Sequence, residues 1–435
     1  MDDAIPPTGS LDERVDALVH RDQQHVRCPF PIFAELRDSD PVHYNEELGA
    51  WILTRYEDCL AVLHDPVTWS VKMRTGPKPL NSVLGTRLEV IEADPAKRGL
   101  LEGLTQVTTR RPILSSADPP IHVQQRKVVN SRFKPRRIRA LEPLIEDVSA
   151  QLIDGFAADG RVEFVGRFAV PVPMTIIAHI LGVGDEDLAQ FKAWSDNLVM
   201  PVGNQHPSQE QVENYLQTQI EFVEFFGRQI EERQREPRDD LLSDISNAEV
   251  DGCPLEKVDH IELVSQLLAA GNETTTKLIT DIAMYLALQP EVQSRVRSDL
   301  QLVDPLVEEV LRLEAPVSGL FRQATVDTEL GGKRIAEGEH VWVLYVAANH
   351  DEQKFEEPDS LDIDRSGVKD HLGFGHGQHY CLGASLARTE AQVTTKVLLE
   401  RLDDIALADT NDFQYEDSYL LRGPKRLDLT FTGSG

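Results

Sequence analysis

The ten residues FGHGQHYCLG at 374–383 restrict the fold more than any other stretch of this chain. Gly375 and Gly377 admit positive φ, and so a tight turn that bulkier residues would strain. Gly383 opens an apolar helical pattern, LGASLARTEAQVTTKVLLERL, and lets that helix approach a neighbouring group closely. Cys381 therefore sits at a helix N-terminus, where the dipole and unpaired backbone N–H groups favour a thiolate. Such a thiolate suits a metal ligand or a nucleophile. A nucleophile needs a base, and His379 is the adjacent candidate, although its spacing from Cys381 does not guarantee contact.

The other cysteines, Cys28, Cys59 and Cys253, are widely separated, with no C-x-x-C pair and no zinc spacing. Free thiols in a reducing compartment are expected. The N-terminal stretch MDDAIPPTGSLDERVDALVH is acidic and interrupted by proline, unlike a secretory signal. The most apolar stretch, FAVPVPMTIIAHILGVG, is too short and broken to span a bilayer, so a cytoplasmic protein without a membrane anchor is expected. A net charge of −29 argues against nucleic acid or an anionic membrane as the main partner. Against that background, residues 126–139 (RKVVNSRFKPRRIR) carry seven basic side chains and no acidic one. They form either a solvated helix end or a docking patch for an acidic partner.

At 435 residues the chain has room for one large domain or two to three ordinary ones. With 41% hydrophobic and 27% charged residues it has the composition of a globular protein with an ample core. No repeat or low-complexity tract is visible. Helical periodicity dominates from about 140 to 300, as in LEPLIEDVSAQLIDGFA, EDLAQFKAWSDNLVM and QVENYLQTQIEFVEFFGRQIEERQRE. Strand-like pieces are short: AWILTRY at 50–56, TELGG-KRI at 328–335 and HVWVLYVAAN at 340–349. Residues 1–10 read as a loose tail. Residues 70–117 mix Pro, Gly and Thr with charges and read as a long loop, of the kind that forms a lid over a site.

Residues 255–289 predict one long helix ended by Pro290. In its middle, LLAAGNETTTKL places Gly271, which costs roughly 1 kcal/mol relative to alanine, before three mediocre helix formers. Local propensity that opposes a strong long-range pattern marks a functional site. Glu273 and Thr274 set a carboxylate beside a hydroxyl, and Ala269, Ala270 and Gly271 leave room for a flat group. The alternative is threonines bonding back to helix carbonyls. In VEEVLRLEAPV, Glu309 and Arg312 lie three apart and can pair, although exposed pairs of this kind are worth little. Arg322 begins an extended segment and can aim at an anion. His122 and Arg126, four apart in DPPIHVQQRKVV, suit a carboxylate or phosphate, or else form a solvated face.

Taken together, FGHGQHYCLG resembles the F-x-x-G-x-x-x-C-x-G haem loop of cytochromes P450, and EEVLR resembles that family's E-x-x-R. AAGNETT is similar to its oxygen-activating helix, and HVQQR to its H-x-x-x-R propionate clamp. Order and spacing agree over roughly residues 25–430, in the manner of the soluble bacterial type. The resemblance implies a single domain over 1–435, mainly α with small β-sheets (α+β), with haem b between a long central helix and the cysteine loop and its helix. It implies Cys381 as the iron's thiolate ligand and Phe374 packing on the ligand side of the porphyrin. His122, Arg126, Arg322 and His379 would meet the propionates, with Ala270, Gly271, Gly375 and Gly383 also bordering the cofactor. Thr274 and Glu273 would deliver protons during dioxygen activation. Glu309 and Arg312 would be a buried structural pair. The arginine that completes that pair in many relatives is missing: Ser360 and Leu361 occupy its neighbourhood, with Arg365 as the nearby substitute.

The resemblance further implies a monomeric monooxygenase that takes O2 and an apolar small molecule of terpenoid, steroid, fatty-acid or aromatic class. Leu268, Ala269, Val317, Ser318, Leu320 and Tyr419, with Ser418 and Leu420, are the candidate substrate contacts. A ferredoxin or flavodoxin-like donor would dock on Arg132, Lys134, Arg136 and Arg137. A peroxide-using, desaturating or coupling P450 is a second reading, and a haem sensor or carrier a third. The Glu273–Thr274 pair speaks for dioxygen activation over both.

Overall fold

The computed structural model describes residues 9–433 except 74, 79, 104–111, 185–187 and 251. Its axis is the predicted long helix, Lys257–Leu288, which runs unbroken through Gly271 and stops before Pro290. Apolar residues at three- and four-residue spacing bury it on nearly every side. It packs against Pro171–Leu181, Leu188–Val199, Gln209–Arg235, Val303–Glu314 and Ala384–Arg401. These helices share the main hydrophobic core, in which Phe191, Trp194, Phe222 and Phe226 form a contiguous aromatic group.

The predicted strands pair at the edge of this body. Val42–Asn45, Ala50–Leu53, His340–Val343, Leu320–Ala324 and Trp69–Ser70 lie side by side in that order. All neighbours are antiparallel except Ala50–Leu53 with His340–Val343. Two of the strand readings overran. The AWILTRY strand ends at Leu53 and a helix starts at Tyr56, while HVWV alone is strand and Tyr345–Asn349 is helical. In both cases a residue with an aromatic, strand-favouring side chain opens a helix because the sheet has run out of partners. TELGG-KRI is a hairpin, turned by Gly331 and Gly332 at φ of 56° and 77°.

The lid region also differs from its reading as a loop. Leu80–Ala93 is helical, kinked where Gly85 takes φ 43° and ψ −128°, with short turns at Arg98–Leu101 and Leu114–Ser116. The glycine divides the apolar repeat into two short runs, neither long enough to announce a helix. Residues 104–111 of the predicted lid lie outside the described residues, as do 1–8 of the predicted tail. Ser10 belongs to structure: its hydroxyl accepts from Glu13 N while Glu13 accepts from Ser10 N, a capping box on Leu11–Val19.

Candidate active site

The cysteine loop is built as its glycines require. Gly375 and Gly377 have φ of 66° and 68°, and a Cβ on Gly377 would collide with the Leu63 carbonyl. Cys381 N donates to Phe374 O at 3.0 Å, which closes the loop. Gly383 precedes Ala384–Arg401 at an ordinary φ of −83°, and a Cβ there would lie 3.9 Å from Cys381 Sγ, in the space beside the sulfur.

Burial pushes the Cys381 thiol above its ordinary range, and the backbone N–H groups of Gly383 and Ala384, with Arg126 and Arg388, only partly offset this. The ring of His379 lies 4.0 Å from that of His122, tilted by 35°.

A buried carboxylate that the sequence reading missed, Glu308, holds this loop from behind with His371 and Arg388. Glu308 accepts from Arg388 Nε at 2.6 Å and Nη2 at 2.9 Å, and lies 3.1 Å from His371 Nε2. Burial opposes its ionisation, but His371 and Arg388 outweigh it and bring its carboxyl down to about 2. The Arg388 guanidinium also lies over the Phe374 ring, 4.4 Å from its centre. Two acids in succession, Glu308 and Glu309, flanked by apolar residues in PLVEEVL, were the available signal. Glu309 is engaged separately: Arg312 Nη2 and Nε donate to it at 2.8 and 2.9 Å, and both side chains are 0% exposed. Arg365 Nε donates to the same carboxylate at 2.9 Å, so the structure supplies a third partner at that position.

The four expected propionate donors divide. Arg126 donates to Tyr380 O at 2.6 Å and Gln378 O at 3.5 Å, on the cysteine loop itself. His122 is 2% exposed, and its Nδ1 has no hydrogen-bond partner among the described residues. Burial, then Arg126, depresses its pKa to about 4, so the ring is neutral. Arg322 is buried in the sheet opposite Val341, and its Nη1 donates to Phe321 O at 2.8 Å. No carboxylate of the described residues pairs with Arg322. A buried imidazole nitrogen and a buried guanidinium without an anion suit acidic groups carried by a flat cofactor. With Cys381 and the open space at Gly383, the donor set fits haem.

On the central helix, the burial pattern breaks at Ala269–Gly271, where Ala270 is exposed in mid-helix and Thr274 is half-buried. Thr274 Oγ1 donates to Ala270 O at 2.7 Å. Glu273 points elsewhere, toward Leu188–Val199. Its Oε1 lies 3.1 Å from Asn272 Nδ2, 3.4 Å from Lys192 Nζ and 3.5 Å from Ser195 Oγ. Burial opposes its ionisation, but Lys192 and Lys277 keep its carboxyl below the ordinary range. Burial and the Glu273 charge push its neighbour Asp196 up to about 6.

Among the expected substrate contacts, Ala269, Val317 and Leu320 are half-buried, and Ser318 is buried with its N–H donating to Leu420 O at 2.8 Å. Leu268 is removed from that set: it is fully buried in the main core, on the far side of the helix from Ala270. Tyr419 is buried against Phe321 and Trp342, with its hydroxyl accepting from Gln205 Nε2 at 3.3 Å. A contact missed in sequence is Gln266, whose Oε1 accepts from Ser115 Oγ at 2.5 Å and whose Nε2 donates to Ile113 O at 3.1 Å. It ties the segment before His122 to the central helix. The basic run is also thinned. Arg132 is committed to Asp239 at 2.6 Å and Asp244 at 2.5 Å, and the exposed Arg137 lies 3.5 Å from Asp239, so of the four candidates Lys134 and Arg136 are exposed with no ion pair among the described residues.

Residues 73–431 match the family model described as Cytochrome P450. Cytochrome P450 107B1 of Saccharopolyspora erythraea is 36% identical over 382 residues, covering 87% of this chain and 89% of that protein. The 6-deoxyerythronolide B hydroxylase of the same species is 33% identical over 405 residues, covering 91% and 95%. Among solved structures, cytochrome P450 CYP109Q5 from Chondromyces apiculatus superposes with a TM-score of 0.81 at 36% identity, covering 96% of this chain and 98% of that one.

Proposed function

The chain belongs to the cytochrome P450 family of haem monooxygenases, and from that premise we propose that it uses O2 to oxidise a bulky apolar small molecule. The observation that carries this reading is the opening at Ala269–Gly271 in an otherwise buried helix, with Thr274 beside it. Haem, when bound, supplies one-electron and dioxygen chemistry. Cys381 would hold its iron, and His122, Arg126, Arg322 and His379 would receive its propionates. A substrate would meet Ala269, Val317, Ser318 and Leu320, which offer shape and little charge. A compound such as 6-deoxyerythronolide B, for which one relative is named a hydroxylase, would suit these walls, as would terpenoids, steroids, fatty acids or aromatics.

Proton supply falls to Asp196, Glu273 and Thr274. Asp196, exposed and paired with Lys192, stands beside Glu273 where it can pass protons between solvent and that carboxylate. Thr274 must exchange its bond to Ala270 O for one toward the open space, a single rotation of its side chain. Thr274→Ala is expected to keep haem and substrate binding while product formed per NADH falls roughly tenfold or more, with the balance appearing as hydrogen peroxide. Parent-level coupling in this variant would overturn the proton-delivery role.

Electrons would come from an acidic ferredoxin or flavodoxin-like donor on the cysteine-loop side, where Lys134 and Arg136 remain exposed beyond the helix that carries Arg126. Lys134→Glu with Arg136→Glu is expected to slow reduction by such a donor about tenfold at low salt, with the difference shrinking as salt screens it. Equal rates at low salt would place the docking face elsewhere.

A further inference from the structure

Away from the haem-side chemistry, His20, Glu47 and His206 come together from three parts of the chain. His20 caps the end of Leu11–Val19, Glu47 lies in the turn between Val42–Asn45 and Ala50–Leu53, and His206 lies in the loop before Gln209–Arg235. His20 Nε2 is 3.2 Å from Glu47 Oε1, and the two imidazole centres are 5.9 Å apart. One ligand atom from each residue lies within 4.8 Å of the others, and no other His, Cys, Asp and Glu set among the described residues does this.

We propose that His20, Glu47 and His206 form a binding site for a zinc-class divalent cation, and that the bound ion clamps the 201–206 loop to the N-terminal segment. Two imidazoles and a carboxylate are a borderline-soft ligand set that zinc accepts at about 2.0–2.2 Å, with a fourth position left to water. Ligand atoms around such an ion stand about 3.3 Å apart, a spacing the His20–Glu47 pair already has. His206 closes the remainder by turning an exposed side chain.

The backbone carrying these ligands is held in place. Leu48 N donates to Asn45 Oδ1 at 2.8 Å and fixes the turn around Glu47. Ser418 Oγ donates to Val202 O at 2.8 Å, and Tyr419 N donates to Gly203 O at 3.3 Å. Gly203 has φ 68°, and a Cβ on it would overlap Ser418, so the loop lies directly on the 418–420 segment. Two cations stand near the His206 ring and each is engaged: Lys78 Nζ donates to Gln205 Oε1 at 2.7 Å, and Arg21 Nη1 to Asp417 O at 3.3 Å. Gln205 in turn reaches Tyr419, so an ion at His206 would stiffen the roof segment next to the substrate-side residues.

The test needs no turnover. Tag-free, haem-loaded protein is titrated with zinc chloride against a chromophoric chelator, and backbone hydrogen exchange is followed at 201–207. The parent is expected to take one equivalent with micromolar affinity. His20→Ala and His206→Ala should each weaken binding at least about tenfold, and Glu47→Gln by a smaller factor. Zinc should slow exchange at 201–207 in the parent and leave it unchanged in the variant that carries both His20→Ala and His206→Ala. Retention of the full equivalent by that double variant, which keeps exposed Cys28 and Cys253, would overturn the site. So would failure of the parent to bind, and binding without slowed exchange would overturn the clamp.

Discussion

Cys381→Ala is expected to abolish the red-shifted Soret band of the reduced carbon monoxide complex while leaving the chain folded. The loop does not depend on the sulfur for its shape. Its turn comes from Gly375 and Gly377, its closure from Cys381 N on Phe374 O, and its support from Glu308 with Arg388 and His371. Alanine keeps all of these and removes only the ligand atom. A helical content and thermal midpoint near those of the parent, together with loss of the band, would be the signature of ligation. An unchanged band in the alanine variant would reject Cys381 as the ligand.

The largest effect on stability is expected at Arg312. Its guanidinium meets Glu309 twice and also donates to Asn349 O at 2.9 Å, Pro358 O at 2.7 Å and Ser360 O at 3.2 Å. Arg312→Ala removes two of the bonds to the buried Glu309 carboxylate, leaving it Arg365 and Asp362 N, and takes the donor from the Asn349 carbonyl; breaking a buried pair in this way costs about 3–5 kcal/mol. Arg365→Ala leaves Glu309 with both Arg312 bonds, so its cost is expected near about 1–3 kcal/mol. Thermal or denaturant unfolding of the haem-loaded variants checks both values. A loss below about 1 kcal/mol at Arg312 would show that the pair does not anchor the loop region.

Much of this site was legible because its chemistry is local in sequence. The glycines, cysteine and aromatic of residues 374–383 are contiguous, and their turn is dictated by φ at two positions. The central helix was legible from an apolar period long enough to override Gly271 and three threonines. What escaped depended on neighbours distant in the chain. Whether Glu273 faces Thr274 or Lys192 is set by the packing of Leu188–Val199, which no spacing within the GNETTT stretch encodes. Arg132 looked like its basic neighbours until Asp239 and Asp244, a hundred residues on, claimed it. Cys381 sits near a helix start as expected, but its surroundings desolvate the thiolate that the dipole favours. Leu268 read as pocket and is core, because one residue along a helix turns a side chain by about 100°.

Glu308 and Glu309 are neighbours on one helix, yet they grip different parts of the chain. Glu308 holds the cysteine loop and its helix through His371 and Arg388, while Glu309 holds the 360–365 segment through Arg312 and Arg365. A single turn of helix thus fixes the floor of the site with buried ionic ties. The roof is fastened more lightly, by contacts such as Lys78 to Gln205 and Gln205 to Tyr419. Inheritance can act on these two halves separately. On the proposed reading, changes in the roof would reshape what the enzyme admits at small energetic cost, whereas changes in the floor would cost folding stability. The architecture is in this sense a fixed reactor under an exchangeable cover, which is how one scaffold can serve many substrates without rebuilding its chemistry.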